Sequence, residues 1–399
     1  MTLSNGLPYL AIPGPSVVPD QVLQAMHRAS PNIYEGALVE LTHGLVPDLR
    51  RVARTQGEVA MYIGNGHGAW EAALSNVVAA GQQVLCVATG RFGSGWGEMA
   101  QALGIDVELL DFGLHAPLDP ARIGAALTQD REKQLKAVLI SHVDTSTSFV
   151  NDVAAVRAEL DRLDHPALLM VDCIASLACD RFEMDAWGVD VMVAASQKGL
   201  MLPPGMGFVF FNDRAAHARS VMARVSRYWD WQPRCRPGRY SEYFSGTAPT
   251  HHLYGLRVSL DMLQAEGMAQ VWARHDTLAR AIWAACDAWS EQGDLRLNVV
   301  DPAHRSRAVT AAALTAPDAT RLRHWLSERA GVTLGIGLGM APPGDPAGDG
   351  FFRFGHMGHV NAHMVLGMLS SVQAGMAALG IAHGAGGMDA ATAIIADRA

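Results

Sequence analysis

From about residue 20 to about residue 255, short and almost continuous apolar runs alternate with segments of helical period. The runs fall at 59–63, 84–88, 137–140, 168–171, 189–194 and 207–211. None shows the polar alternation of a half-solvated strand, so each predicts a strand covered on both faces. Between them, 69–78 and 154–163 carry apolar residues at helical spacing. Alternating β and α units predict an α/β layer with a mainly parallel sheet between helices.

The texture changes at about residue 256. A long helical region runs 256–292, interrupted by Gly267, and a smaller mixed segment follows. The reading is an N-terminal arm over 1–20, rich in Pro and Gly at 12–19, a large domain over 21–255, and a smaller C-terminal α+β domain over 256–399. A Gly/Pro-rich stretch at 335–346 predicts a flexible loop, and Ala/Gly enrichment after 374 a terminal helix.

Composition narrows the function classes. The 399 residues are 49% apolar, enough for two cores, and 31 basic against 39 acidic residues leave a net charge of −8. That balance offers no footprint for nucleic acid or an anionic membrane. No apolar run is long enough to suggest a bilayer span, and the N-terminus lacks a basic-then-apolar leader order. Five scattered cysteines with no CxxC pair fit reduced thiols and a cytoplasmic setting. His251-His252 reads as surface or capping histidines, and no spacing supports a metal.

Ligands in open α/β sheets gather at the carboxyl ends of strands. After the run ending at Ile63 stands Gly64-Asn65-Gly66-His67-Gly68-Ala69, then a helix. Such a turn presents backbone N–H groups and a helix N-terminus to a phosphate. It also fits a dinucleotide template, but Thr89-Gly90-Arg91 follows the next strand where a ribose-binding acid belongs. Asp172 ends the run at 168–171, where a buried carboxylate needs a positive partner such as a pyridinium N–H, or serves as a cap or ion pair. Lys198 follows the run at 189–194, where burial would depress its pKa and make it a nucleophile toward an aldehyde, unless it snorkels to solvent. A phosphate cradle, an acid for a ring nitrogen and an amine for an aldehyde are the three demands of pyridoxal phosphate.

With these residues, the chain resembles the class V, fold-type I aminotransferases of the serine/alanine–glyoxylate kind. The resemblance rests on Pro13-Gly14-Pro15, Gly68-Ala69-Trp70-Glu71-Ala72-Ala73-Leu74, Asp144-Thr145-Ser146-Thr147, Val171-Asp172 with Ala175-Ser176-Leu177, Gly188-Val189-Asp190-Val191, Ser196-Gln197-Lys198-Gly199, Leu202-Pro203-Pro204-Gly205 and Arg353-Phe354-Gly355-His356-Met357-Gly358, in the family's order. It implies that Lys198 carries pyridoxal 5′-phosphate as a Schiff base and moves the substrate proton, while Asp172 pairs with the ring nitrogen. Gly66, His67 and Gln197 would hold the phosphate or ring, Phe92 would stack on the ring, and Thr145 would reach its hydroxyl. Arg353 would clamp the substrate carboxylate, with Tyr34 nearby, and Thr247 would serve the phosphate of a neighbouring subunit in a homodimer with shared sites. The substrates implied are a small amino acid and a small 2-oxoacid such as glyoxylate or pyruvate.

The chain departs from the serine–glyoxylate pattern at Asn32-Ile33-Tyr34, Asn65 and Phe244, and in its longer loop before Arg353. Tyr34, Asp144 and Phe244 lean toward pyridoxamine–pyruvate aminotransferases, whereas Asn65 and Leu338 do not. Aspartate–glyoxylate transamination is a further alternative. A cysteine desulfurase would need a nucleophilic cysteine late in the chain, and none follows Cys286. A non-catalytic cofactor-binding regulator would need a DNA-reading module, for which the arm is too short.

Overall fold

The apolar runs do become strands, and their burial explains why they lack alternation. In the computed structural model, which describes residues 3–397, the strands of the first part are β1 (Tyr9–Ala11), β2 (Glu58–Gly64), β3 (Gln83–Ala88), β4 (Asp106–Asp111), β5 (Leu135–Ser141), β6 (Leu168–Asp172), β7 (Val191–Ala195) and β8 (Gly205–Phe211). Seven of them form one sheet in the order β2-β8-β7-β6-β5-β3-β4. Only β8 runs against its neighbours, and the remaining adjacent pairs are parallel. The carboxyl ends of β2, β3, β5, β6 and β7 therefore share one edge.

Successive residues along each strand feed different cores. Val138, Ile140, Leu169, Val171 and Met192 pack into one layer, while Leu139, Met170, Val193, Trp70 and Trp96 pack into the other. Every residue of β6 and β7 is buried, as period-2 side chains between two helix layers require. Edge strand β4 escaped the sequence reading for the same reason in reverse. It pairs with β3 alone, and in its Asp-Val-Glu-Leu-Leu-Asp run four residues are exposed and none is fully buried.

A second sheet contains β9 (Arg296–Leu297), β10 (Val309–Ala313), β11 (Val332–Ile336) and β12 (Phe351–Gly355), in the order β1-β11-β12-β10-β9. Its pairs are antiparallel except β1 with β11. The N-terminal arm thus contributes a strand to the second sheet. Gly335 and Ile336, expected in a flexible loop, belong to β11.

The helix Thr250–Glu266 places Leu256, Leu260 and Leu263 in the first core. The helix Met268–Ser290 starts there with Val271 and continues into the second core with Leu278, Ile282 and Trp289. The passage between cores runs along this helix, beyond the change of texture at 256. One helix among the described residues, Ala362–Leu379, is long and apolar enough by length and composition to cross a membrane, which the sequence reading did not anticipate. Its Val365, Met368, Leu369, Val372 and Met376 belong to the second core.

Candidate active site

The parallel register sets the site. Asp172 closes β6 opposite Val193 of β7, and β7 then leads through Ser196 and Gln197 to Lys198. That turn is held in place from several sides. Ser196 Oγ donates to the Pro203 carbonyl at 2.8 Å and accepts from Met206 N at 3.2 Å. The Lys198 carbonyl accepts from Ser16 Oγ at 2.8 Å and from Met201 N at 3.0 Å. Ser16 N donates to the Gln197 carbonyl at 2.9 Å. The arm therefore lies across the lysine turn, and Lys198 Nζ donates to the Pro13 carbonyl. A methyl group at Gly14 would stand 2.5 Å from that Nζ, so only glycine leaves the amine its place.

Burial dominates the electrostatics. Asp172 is 3% exposed and its carboxyl is raised to about 7, chiefly by desolvation, against the pull of the Ile174 N–H, Trp70 and Lys198. Its Oδ1 accepts from Ile174 N at 2.7 Å. The Trp70 indole N–H favours the carboxylate but makes no hydrogen bond of normal geometry, and it has no other partner. Burial, with Arg353 assisting and Asp172 opposing, lowers the Lys198 amine to about 8. Acid and amine are thus both displaced toward neutrality by the same dry surroundings.

The turn after β2 leads into the helix Gly66–Val77, capped by Asn65, whose Oδ1 accepts from Gly68 N at 3.2 Å. The N–H groups of Gly66 and His67 stand in the first turn, where a helix offers no internal acceptor. Gly66 packs against Ile174, two residues beyond Asp172, with no room there for a Cβ. Burial and Arg91 together lower the pKa of the His67 imidazole.

Phe92 opens the helix Arg91–Ala102 after β3, its ring centroid 6.4 Å from that of Trp70. Thr145 lies in the segment after β5. Its carbonyl accepts from Arg353 Nη1 at 2.8 Å, and Arg353 Nε donates to the Ile336 carbonyl at 2.7 Å. These bonds carry β12 of the second sheet to the tips of the first. Burial lowers the guanidinium of Arg353 to about 10, which leaves it charged. Its other terminal nitrogen keeps donors for a ligand carboxylate. Gln197 Oε1 is buried without a partner. Beside these walls lies a cavity of about 500 Å³ lined by His67, Trp70, Arg91, Phe92 and Met340.

Tyr34 and Thr247 do not join this cluster. Tyr34 is 85% exposed, and Thr247 is exposed in the loop before the helix Thr250–Glu266. His251 and His252 each bond a backbone carbonyl, of Arg28 and Pro204, at 3.1 and 3.2 Å. No metal-holding group of three His, Cys, Asp or Glu occurs among the described residues.

Against this geometry, the sequence profile of the family described as "Aminotransferase class-V" matches residues 9–346. The chain belongs to the class V aminotransferases. It is 35% identical to a serine–glyoxylate aminotransferase of Methylorubrum extorquens, covering 93% of this chain and 92% of that protein. It is 33% identical to an L-aspartate–glyoxylate aminotransferase of Paracoccus denitrificans, covering 93% and 91%. The crystal structure of a ureidoglycine–glyoxylate aminotransferase from Bacillus subtilis superposes with a TM-score of 0.88 at 25% identity, covering 98% of this chain and 99% of that one.

Four residues around this aminotransferase site had no role assigned from sequence. Trp70 lies within the family-like stretch Gly68–Leu74, where the sequence gives it no role of its own. Pro13 and Gly14 belong to the family-like Pro13-Gly14-Pro15 of the arm, with no contact to the lysine foreseen. His275, inside a helix, is fully buried and accepts from Gly358 N at 3.1 Å, steadying the segment that follows Arg353.

Proposed function

We propose that this aminotransferase uses pyridoxal 5′-phosphate to move an amino group from a small amino acid of the serine or alanine type to a small 2-oxoacid such as glyoxylate. The observation that carries the reading is the placement of buried Asp172 and half-buried Lys198 at adjacent strand ends, each brought near neutrality by its surroundings. The residues present fit the cofactor. Gln197 Oε1 and Trp70 Nε1 are buried polar atoms without protein partners, and the Gly66 helix offers free N–H groups with the positive end of its dipole to a phosphate.

Bound there, pyridoxal phosphate supplies an aldehyde carbon for amine exchange and a ring that accepts the electron pair left at the substrate Cα. Asp172, ionised against a cationic ring nitrogen, holds a proton on that nitrogen. Lys198, with its lowered pKa, anchors the cofactor and then serves as the base that moves the proton from the substrate Cα. Arg353 binds the substrate α-carboxylate, already aimed by its bonds to Thr145 and Ile336. Phe92 would cover the ring. The names of the relatives support glyoxylate as acceptor, and their differing donors support a small amino acid.

We further assign the working unit as a cytoplasmic homodimer. Thr247 and Tyr34 are exposed on their own chain and free to serve a neighbouring site, and the five free cysteines suit a reducing compartment.

The test is a matrix of serine, alanine, aspartate and pyridoxamine against glyoxylate and pyruvate, run with wild-type protein and Lys198→Ala. Wild-type turnover of serine or alanine with glyoxylate is expected, with none in the variant. Undiminished turnover by Lys198→Ala would sink the mechanism. Sedimentation of the active species tests the dimer.

A further inference from the structure

We propose that Asp144 is a positioning residue of the cofactor site, clamping the Phe92 wall to the Thr145 wall. The inference rests on the pyridoxal phosphate reading above. Asp144 follows β5 and is 0% exposed. Its Oδ2 accepts from Phe92 N at 2.8 Å and from Gly93 N at 3.0 Å. Its Oδ1 accepts from Ser146 N at 2.9 Å and from Ser146 Oγ at 2.5 Å. Ser146 Oγ in turn accepts from Arg91 N at 3.0 Å.

The first three N–H groups of the Arg91 helix therefore all end on Asp144 or on its neighbour Ser146. The helix gets no cap from its own N-cap residue, Gly90. A carboxylate suits that helix end because it meets both unpaired N–H groups and the positive end of the dipole. The residue after Asp144 is Thr145, whose carbonyl orients Arg353. One side chain thus fixes the backbone of the ring-covering Phe92, of Thr145 and, through Thr145, the substrate-binding Arg353. Its charge also reaches both neighbours, favouring the cationic form of Arg353 and opposing ionisation of Asp172.

Two changes disturb this clamp by different chemistry. Asp144→Asn keeps the size but offers one oxygen where two are engaged, and turns an NH₂ toward N–H donors. Gly90→Ala keeps the charge, but its methyl would stand 2.6 Å from Asp144 Cγ and 2.6 Å from Ser146 Oγ, displacing the same carboxylate.

The experiment measures pyridoxal phosphate binding by equilibrium dialysis, the visible absorption band, and Tm without cofactor. It compares wild type, Asp144→Asn, Gly90→Ala and the double variant. Each single change is expected to raise the dissociation constant at least tenfold and to move the band. The double variant should bind about as the weaker single does, because both act on one carboxylate. A cap with no cofactor role would lower Tm alone, so wild-type affinity and band in Asp144→Asn would overturn the proposal, as would fully multiplicative losses in the double variant. If Asp144→Asn does not fold, Gly90→Ala decides: weakened binding supports the clamp and wild-type binding overturns it. Wild-type protein that takes up no pyridoxal phosphate would overturn the cofactor reading, and this inference with it. Wild-type uptake with unaltered uptake in the variants would overturn this inference alone.

Discussion

Asp172 and Asp190 stand at opposite edges of the same sheet, both preceded by valine and both buried, at 3% and 1% exposure. Asp190, just before β7, is fully met. It accepts from Leu169 N at 2.8 Å, from Asn212 Nδ2 at 2.8 Å, and from Arg214 Nη1 at 3.0 and 2.9 Å, with Arg157 at 3.7 Å. Asp172 receives one short bond, from Ile174 N. The edge around Asp190 even has the larger cavity, about 850 Å³ against about 500 Å³. Size does not mark the functional edge. What marks it is an acid, an indole N–H and an amide oxygen buried with fewer partners than they can use, beside an amine of lowered pKa. The satisfied carboxylate holds the fold together, and the unsatisfied one is poised for a ligand.

Breaking Asp190 should give the largest effect. Asp190→Ala strands buried donors and is expected to cost about 3–5 kcal/mol in urea unfolding, with near-normal activity per folded molecule. A cost under about 1 kcal/mol would erase the contrast. Asp172→Asn should act in the opposite sense. The folded pKa of Asp172 is raised from 3.8 to about 7, so the cofactor-free protein loses stability as pH climbs through that window. Asparagine keeps the Ile174 bond and removes the charge, so stability at pH 8 is expected to rise on the order of 1–2 kcal/mol, while turnover falls about 10²–10³-fold. Lost stability at pH 8 would break the claim that this carboxylate is held against its preference.

Arg353→Lys cannot keep two backbone bonds and a carboxylate contact, so KM for the amino donor should rise about tenfold to a hundredfold, with kcat less affected. An unchanged KM would remove Arg353 from the substrate site. The rate of pyridoxal phosphate capture at Lys198 should rise about tenfold per pH unit below about 8 and level off above it, since the neutral amine is the nucleophile. A plateau reached only near pH 10 would show an amine with an ordinary pKa. The smallest functional effect belongs to Trp70→Phe. The change removes the indole N–H and trims a fully buried ring stacked on Trp96, so stability without cofactor should fall by about 1–2 kcal/mol. Pyridoxal phosphate affinity should fall a few-fold by dialysis. Unchanged affinity would make Trp70 a core residue only.

Much of this was legible in one dimension. Strands buried on both faces announce themselves as unbroken apolar runs, so β2, β3, β5, β6, β7 and β8 could be read directly, and with them the residues at their tips. Edge strand β4 could not, because unlike the opposite edge strand β2 it has no fully buried residue and carries acidic residues among its apolar ones. Among the site residues, Lys198 and Asp172 stood out because a charge at the end of a buried run conflicts with its setting. Trp70 raised no such conflict, and neither did Asp144, whose four bonds depend on residues 2 to 52 positions away.

Sequence alone determined the α/β layering, the lysine and the acid at neighbouring strand ends, and the family motifs around them, because periodicity and burial are local properties of a chain. Tertiary structure alone decided which buried aspartate is satisfied, that the arm closes over Lys198 from 185 positions away, and that one carboxylate clamps two walls of the site. Those outcomes depend on which donors and acceptors meet once distant segments pack, and local sequence does not record whether a buried polar group finds its partner.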